Sequence, residues 1–363
     1  MATQSSSTSK LRILIFNWRD LAHPLAGGAE VYTHRVAEEW IKMGHEVTLF
    51  CSSVAGEPER ENLNGLKIIR RGGKHSVYRE AKKYYKLEGR GKYDLVIDEV
   101  NTRPFGAPKW VNDAQVIALI HQVCREVWFH QVSILVALLG RFFLEPYWLR
   151  AYRDTNVVTL SSSSKKSLEL YGLLNVRIVP VGFENRINLS KIEKSEKPTI
   201  IFVGRLSSNK RPDHAIKAFR HLQRKIPDAK LLIIGSGPMS KKLSRHAHSG
   251  VEMLGRVAND ERDFLIASSH VLVITSVREG WGMVVTEAAA VGTASVGYEV
   301  DGIRDSVSSA NGFLCDPDPR ALGDSLAQYF HMLNEKCLTP PSVSGVLPWD
   351  VVAKELLNFD SKG

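Results

Sequence analysis

The sequence predicts an α/β protein of two domains, each built on a parallel sheet with helices on its faces. Three observations lead there. The chain has 363 residues, beyond the size at which single hydrophobic cores stop growing. Short β-rich apolar runs alternate with stretches of helical period, the pattern of parallel α/β architecture. The alternation then restarts midway, after a polar and charged stretch without strand pattern at 184–197, which reads as a linker.

In the first half, residues 11–16, 46–51, 94–98, 115–120 and 156–160 read as strands, and 29–43 as a helix closed by Gly44. In the second half, 199–203, 230–234, 271–274 and 294–296 continue the strand series. The expected organisation is a loose polar tail (1–10), a first domain (11–184), a linker (185–198), a second domain (199–340) and a closing segment (341–363). In that last segment a Pro- and Ser-rich stretch precedes Trp349, Val352, Leu356 and Phe359 at helical spacing. A terminal helix of this kind must bury its stripe, for instance against the first domain.

Four cysteines without a CxxC pair argue against a zinc site or a disulfide framework and fit a reducing, cytoplasmic compartment. No uncharged apolar run reaches the roughly 18–20 residues that span a bilayer. The net charge is +9, and between Leu66 and Lys92 ten basic residues face two acidic ones. Nucleic acid and an anionic membrane are the two partners such a patch attracts. The absence of zinc-finger spacing and of RNP-like aromatic motifs speaks against nucleic acid.

Ligands of open parallel sheets bind beyond the carboxyl ends of the strands, so the residues after each strand carry the functional reading. After the first strand, Gly27-Gly28-Ala29-Glu30 opens a helix; two glycines and free helix N–H groups suit an approaching phosphate, or form a plain turn with Glu30 at the dipole. The run is not GxGxxG, which argues against a dinucleotide. After 199–203 come Gly204, Arg205 and Lys210 ahead of Pro212: either a solvated basic loop, or cations that stabilise a departing diphosphate. After 271–274, Glu279 falls in a glycine-rich turn and Glu287 inside the next helix, among Met283, Val284, Ala290 and Val291. A carboxylate in that setting needs either a distant cation or bound hydroxyls. His121 ends another strand, as an acceptor-side residue or a hydrogen-bonded structural one. Asp316-Pro317-Asp318 spells DxD, but Asp318 before Pro319 reads as a helix N-cap, and no metal is expected there.

These stretches resemble glycosyltransferase family 4. VGRLSSNKRPD (203–213) is similar to the family's diphosphate loop, IIGSGP (233–238) to the turn before the base, and EGWGMVVTE (279–287) to its E-x7-E motif. The sequence departs from the family where Thr293 and Ala294 replace a usual proline. The resemblance implies a GT-B fold, two Rossmann-like domains facing across a cleft, and a retaining hexosyltransferase without cofactor or essential metal. Its donor would be a GDP- or UDP-sugar and its acceptor a glycan or lipid-linked molecule. It further implies that Gly28, Gly204, Arg205 and Lys210 bind the diphosphate. Glu287 would take the ribose, Glu279 with Gly282 and Met283 the hexose, and His121 would stand at the acceptor face. An epimerase on the same scaffold is the alternative.

One more feature concerns the membrane. Over 76–87, Val77, Ala81, Tyr84 and Leu87 share a helical face opposite Arg79, Lys82, Lys83 and Lys86. Such a helix either lies on anionic lipid at the inner face of the membrane or packs with a wet basic side. The apolar, aromatic stretch 128–148 belongs to the same domain.

Overall fold

The computed structural model describes residues 10–184 and 192–358. Residues 1–9 of the expected tail, 185–191 of the expected linker, and Phe359 of the terminal stripe lie outside the described residues.

The first half forms an eight-stranded sheet from β1 (Arg12–Phe16), β2 (Glu46–Cys51), β3 (Arg60–Leu63), β4 (Leu66–Arg70), β5 (Leu95–Glu99), β6 (Gln115–Leu119), β7 (Asn156–Thr159) and β8 (Val176–Ile178), in the order β3-β4-β2-β1-β5-β6-β7-β8. All its pairs are parallel except the β3–β4 hairpin. The second half forms a six-stranded, all-parallel sheet from β9 (Thr199–Val203), β10 (Lys230–Ile234), β11 (Val251–Gly255), β12 (Val271–Ile274), β13 (Ala294–Tyr298) and β14 (Phe313–Cys315), in the order β11-β10-β9-β12-β13-β14. The central strands are Val, Ile and Leu runs buried on both faces, as helix-covered parallel strands must be.

Five of these strands are absent from the sequence reading: β3, β4, β8, β11 and β14. β3 and β11 are partly exposed and β8 and β14 have three residues each, so no apolar run marks them; β4 is buried, but Lys67 interrupts its apolar run. Asn64 and Gly65, both at positive φ, turn the β3–β4 hairpin, and that dipeptide is the signal for it. The pairing also changes the reading of the basic segment. Arg70, on β4, is buried against Asp20 at 2.6 Å and Glu61 at 2.7 Å, and Arg71 pairs with Glu59 and Glu88. Part of the local charge surplus is therefore internal.

In each sheet the first strand lies between neighbours reached in opposite directions: β1 between β2 and β5, and β9 between β10 and β12. A crevice opens at such a switch point, at the carboxyl ends of the strands. The two switch points lie on either side of one cleft. The chain then returns to the first half. The helix Trp349–Leu357 packs on the helix Gly28–Lys42, with Trp40 Nε1 donating to the Ala353 carbonyl at 2.9 Å. The Trp349 ring lies edge-on to Tyr32 at 5.6 Å and leaves no room for a Cβ at Gly182. Replacing Trp349 by Ala opens a cavity under this clasp and is expected to cost about 3–5 kcal/mol, measured by urea unfolding.

Candidate active site in the interdomain cleft

The loop after β1 is organised by two charged side chains: Arg19, which no sequence pattern marked, and Glu30, which the sequence places at the helix dipole. Arg19 donates through Nε to Glu30 Oε1 (2.8 Å) and through Nη1 to the Leu25 carbonyl (2.8 Å), and stacks over Trp18. Glu30, fully buried, accepts the Gly27 N–H at 2.6 Å and so ties the N-cap of the helix Gly28–Lys42 from its first turn. Burial pushes the Glu30 carboxyl above its usual range, and Arg19 pulls it part of the way back. Glu30 is thus an internal brace that fixes the glycine turn and leaves the helix N–H groups facing the cleft.

The second domain meets this turn directly. Arg205, on the loop after β9, donates through Nη2 to the carbonyls of Leu25 and Ala26. Burial, helped by the Arg19 cation, lowers its pKa. Gly28 faces the Met283 sulfur, which a Cβ at Gly28 would meet at 3.5 Å. Further along the same loop, Arg211 adopts a left-handed conformation (φ 48°) at the start of the helix Pro212–Gln223. The Thr275 hydroxyl supports it by reaching the Lys210 and Arg211 carbonyls, at 2.8 and 2.9 Å. This turn aims Lys210 Nζ at Glu279 Oε1, with which it forms an ion pair.

Glu279 and Glu287 diverge in environment. Glu279 follows β12 in a turn whose N–H bonds the Asp301 carbonyl at 3.1 Å. Glu287 lies on the helix Met283–Ala290, four residues after Met283 and hence on the same face. Its cationic neighbour is Arg262 at 3.9 Å, beyond hydrogen bonding, because that guanidinium is held by Asp263 at 2.7 Å. Loss of water raises the Glu287 pKa, and Arg262 offsets this only in part. A carboxylate so placed can accept hydroxyl donors from a ligand. Between the sequence alternatives for Glu287, a distant cation is present but does not occupy it.

His121 comes after β6 and is buried. Its Nε2 lies 3.0 Å from Glu99 Oε1, and Glu99 Oε2 accepts from the Thr33 hydroxyl at 2.5 Å. A carboxylate at Nε2 favours the proton there, which leaves Nδ1 as an acceptor in the neutral ring. Glu99, at the end of β5, is another residue missed from sequence; the acidic pair Asp98 and Glu99 closing an apolar run was the available signal. Gly280 stands against the His121 carbonyl, 2.8 Å from where its Cβ would be. These contacts bring Gly28, Arg205, Lys210, Glu279, Gly282, Met283, Glu287 and His121 around one cleft, with Gly204 at the root of the loop.

Of the two readings of the basic helix, the packed one with a wet basic side is observed. Val77, Ala81 and Tyr84 are buried, with Tyr84 stacked on Phe50 at 5.2 Å, and Leu87 lies outside in a π-helical turn at 73 % exposure. The helix Val77–Tyr84 therefore has no apolar face left for lipid; Arg79, Lys82, Lys83 and Lys86 form a wet basic side. Asp318 caps the helix Pro319–Asn334, accepting from Arg320 and Ala321 N–H at 2.7 and 3.1 Å. The Thr293 hydroxyl, in place of the family's proline, donates to the Ile266 carbonyl at 2.7 Å and accepts from Lys194 Nζ at 2.8 Å.

Paired switch-point domains enclosing cations, a glycine turn and two carboxylates define the class: a GT-B glycosyltransferase. The family models agree, matching Glycosyltransferase Family 4 over residues 26–185 and Glycosyl transferases group 1 over 185–337. The chain belongs to glycosyltransferase family 4. It is 27% identical to an uncharacterised glycosyltransferase of Methanocaldococcus jannaschii, over 96% of this chain and 97% of the relative. It is 25% identical to the GDP-mannose-dependent alpha-(1-6)-phosphatidylinositol dimannoside mannosyltransferase of Mycobacterium tuberculosis, over 84% of each. Among solved structures it superposes on Anabaena HepE in complex with UDP and glucose with a TM-score of 0.67 and 15% identity, over 96% of this chain and 98% of that one.

Beside the cleft, Arg278 joins the domains. It donates through Nε to Glu126 (2.9 Å) and through Nη1 to Asp301 (2.5 Å) and Ser167 (3.2 Å). Arg278→Met leaves the Asp301 carboxylate half-buried without this cation, at an expected cost of about 3 kcal/mol, readable by denaturant titration.

Proposed function

We propose that this enzyme is a retaining glycosyltransferase that moves a hexose of the mannose or glucose type from a GDP- or UDP-sugar to a glycan or lipid-linked acceptor. In this reading residues 11–184 bind the acceptor, 199–340 bind the nucleotide sugar, and 341–363 tie the second domain back to the first. The observation that carries it is the convergence of Arg205 and Arg19 on the Leu25 carbonyl, beside the open end of the Gly28–Lys42 helix. Cations from both domains thus meet where helix N–H groups point, which is a site built for an anion.

Phosphate oxygens are stronger acceptors than carbonyls, so a diphosphate draws Arg205 from the turn and Lys210 from Glu279. Glu279 is then available, with the Gly282 and Met283 amides, to hold hexose hydroxyls, and Glu287 to accept from the ribose. His121, oriented by Glu99 and Thr33, accepts from the hexose at the acceptor face. The bond from the anomeric carbon to the β-phosphate oxygen breaks as the acceptor hydroxyl oxygen bonds to the same face of that carbon. The hydroxyl proton passes to the departing phosphate oxygen, leaving a glycosylated acceptor and a nucleoside diphosphate. Charge grows on the diphosphate as the bond breaks, so Arg205 and Lys210 stabilise the transition state more than the ground state. This role for two side-chain cations needs no divalent ion. The mycobacterial relative's name, with its GDP-mannose donor and phosphatidylinositol-based acceptor, supports the choice of substrates.

A thermal-shift panel of nucleotide sugars, with and without Mg²⁺, tests the proposal. Stabilisation by one GDP- or UDP-sugar is expected, with little dependence on the metal and loss of the shift in Lys210→Ala. Indifference to every sugar nucleotide would sink it, and release of an altered free sugar without acceptor would favour epimerase chemistry. A second test concerns pH. Because the Glu287 pKa is raised, its hydroxyl-accepting form is lost as pH falls through a value above the ordinary carboxylate range. Donor affinity should weaken on that limb, whereas Glu287→Gln should lower affinity roughly 10–100-fold at neutral pH and flatten the limb. An unchanged profile in the variant, by donor titration, contradicts the ribose role.

A further inference from the structure

The segment 128–149 has its apolar side turned outward. Three short helices, Trp128–Gln131, Ile134–Leu139 and Glu145–Leu149, are joined through a π-helical turn at Gly140–Leu144. In the helix Ile134–Leu139 every residue but Ala137 is exposed, Ile134 at 62 % and Leu135 at 76 %. Phe142, Phe143 and Tyr147 continue the surface at 58 %, 68 % and 60 %. Single exposed apolar residues are ordinary; a contiguous set of this size marks a contact surface.

The segment is held firmly in this orientation. Gly140 packs so closely on Trp128 that a Cβ would lie 2.6 Å from the ring. Glu145, the carboxylate of the segment, is buried and accepts the Cys124 and Arg125 N–H groups, at 2.5 and 3.0 Å. Polar bonding thus faces inward and hydrocarbon outward, the reverse of a water-soluble surface.

We infer that this segment is a docking surface for an anionic lipid bilayer. Charge complementarity selects that occupant. Glu145 is buried, and Glu126, exposed just before the segment, is paired with Arg278 at 2.9 Å, while cations stand at the rim: Arg141 lies over Phe142 at 5.4 Å, Lys109 over Tyr147 at 5.2 Å, and Arg150 is exposed. Trp110, next to Lys109, packs on Tyr85 at 5.5 Å, which connects this rim to the π-helical turn bearing Lys86 and the preceding helix bearing Lys82 and Lys83. An apolar patch bordered by cations matches hydrocarbon beneath anionic headgroups. A second copy of the chain seated on the same face would oppose cation to cation. The basic helix therefore contributes charge, and the apolar insertion comes from a different element.

The position of the surface relates it to the reaction. Trp128 and Val127 pack with Val277, two residues before Glu279, and the Ser208 hydroxyl donates to the His130 carbonyl. The docked face is thus the lip of the cleft, and an acceptor anchored in the bilayer meets the site at the membrane surface. That last step rests on the lipid-linked acceptor proposed above; the docking itself does not.

Flotation of the full chain with vesicles tests it, using phosphatidylcholine alone and phosphatidylcholine mixed with phosphatidylglycerol. The wild type is expected to float with the anionic vesicles and less with the neutral ones. The double variant Leu135→Ser/Phe143→Ser should lose at least about tenfold in partitioning, and Lys109→Glu/Arg150→Glu should lose the preference for anionic lipid. All four side chains are exposed, so thermal melts and nucleotide-sugar shifts should stay as in the wild type, which separates failed docking from a failed donor site. The inference is overturned by a wild type that stays with the unbound fraction, or by a double variant that floats like the wild type. It is equally overturned by sedimentation of the lipid-free protein as a dimer that the double variant dissociates.

Discussion

The guanidinium of Arg278 is the interaction on which the site depends, because it fixes the two domains against each other one residue away from Glu279. It is nearly out of water, so its attraction to Asp301 and Glu126 is weakly screened, while any loss of those partners is costly. Ser167 of the first domain donates to the same Asp301 carboxylate at 2.7 Å, and Ser163 engages Asp305 and the Gly302 N–H. A row of hydrogen bonds therefore holds the first-domain helix Ser162–Glu169 to the helix Ile303–Ser309. Gly280 and Gly302 serve the same closeness by omission: a side chain at Gly280 would strike the His121 backbone of the first domain, and one at Gly302 the Glu279 backbone across the turn.

Given that fixed geometry, the cleft without ligand is electrostatically satisfied within itself. Arg205 rests on backbone carbonyls, Lys210 on Glu279, and His121 on Glu99. Each of these partners is weaker than, or exchangeable for, what the proposed sugar-diphosphate donor offers. The repulsion of gathered cations is thereby offset by internal partners until an anion arrives. Glu287 differs, since its nearest cation is committed to Asp263, and burial raises its pKa with only partial relief from Arg262.

The outer surface follows the same division between what is packed and what is left over. The amphipathic pattern at 76–87 is a core pattern, its apolar face packed on Phe50 and the first sheet. The stretch 128–149 has no such periodicity, and its apolar side chains exceed what its short helices can bury. Amphipathic periodicity and exposed hydrocarbon are therefore uncoupled here: the helix with two well-separated faces is structural, and the nearly uniform apolar one is at the surface.

Much was legible in the sequence, for reasons that are local. Central parallel strands are buried on both faces, so 46–51, 199–203, 230–234 and 271–274 stand out as apolar runs and coincide with β2, β9, β10 and β12. The cation loop and the E-x7-E turn are contiguous stretches set just after such strands, which is why their residues could be named. Edge strands escaped because they bury little. Arg19, Glu99 and Arg278 escaped for a different reason: each acquires its role from a partner on another element, up to 152 residues away for Glu126 and Arg278. Local pattern determines which segments form strands and which loops carry glycine, cation or carboxylate. Tertiary structure decides which of those charges face each other, because pairing energy depends on distance and burial, and neither is written in the spacing of residues along the chain.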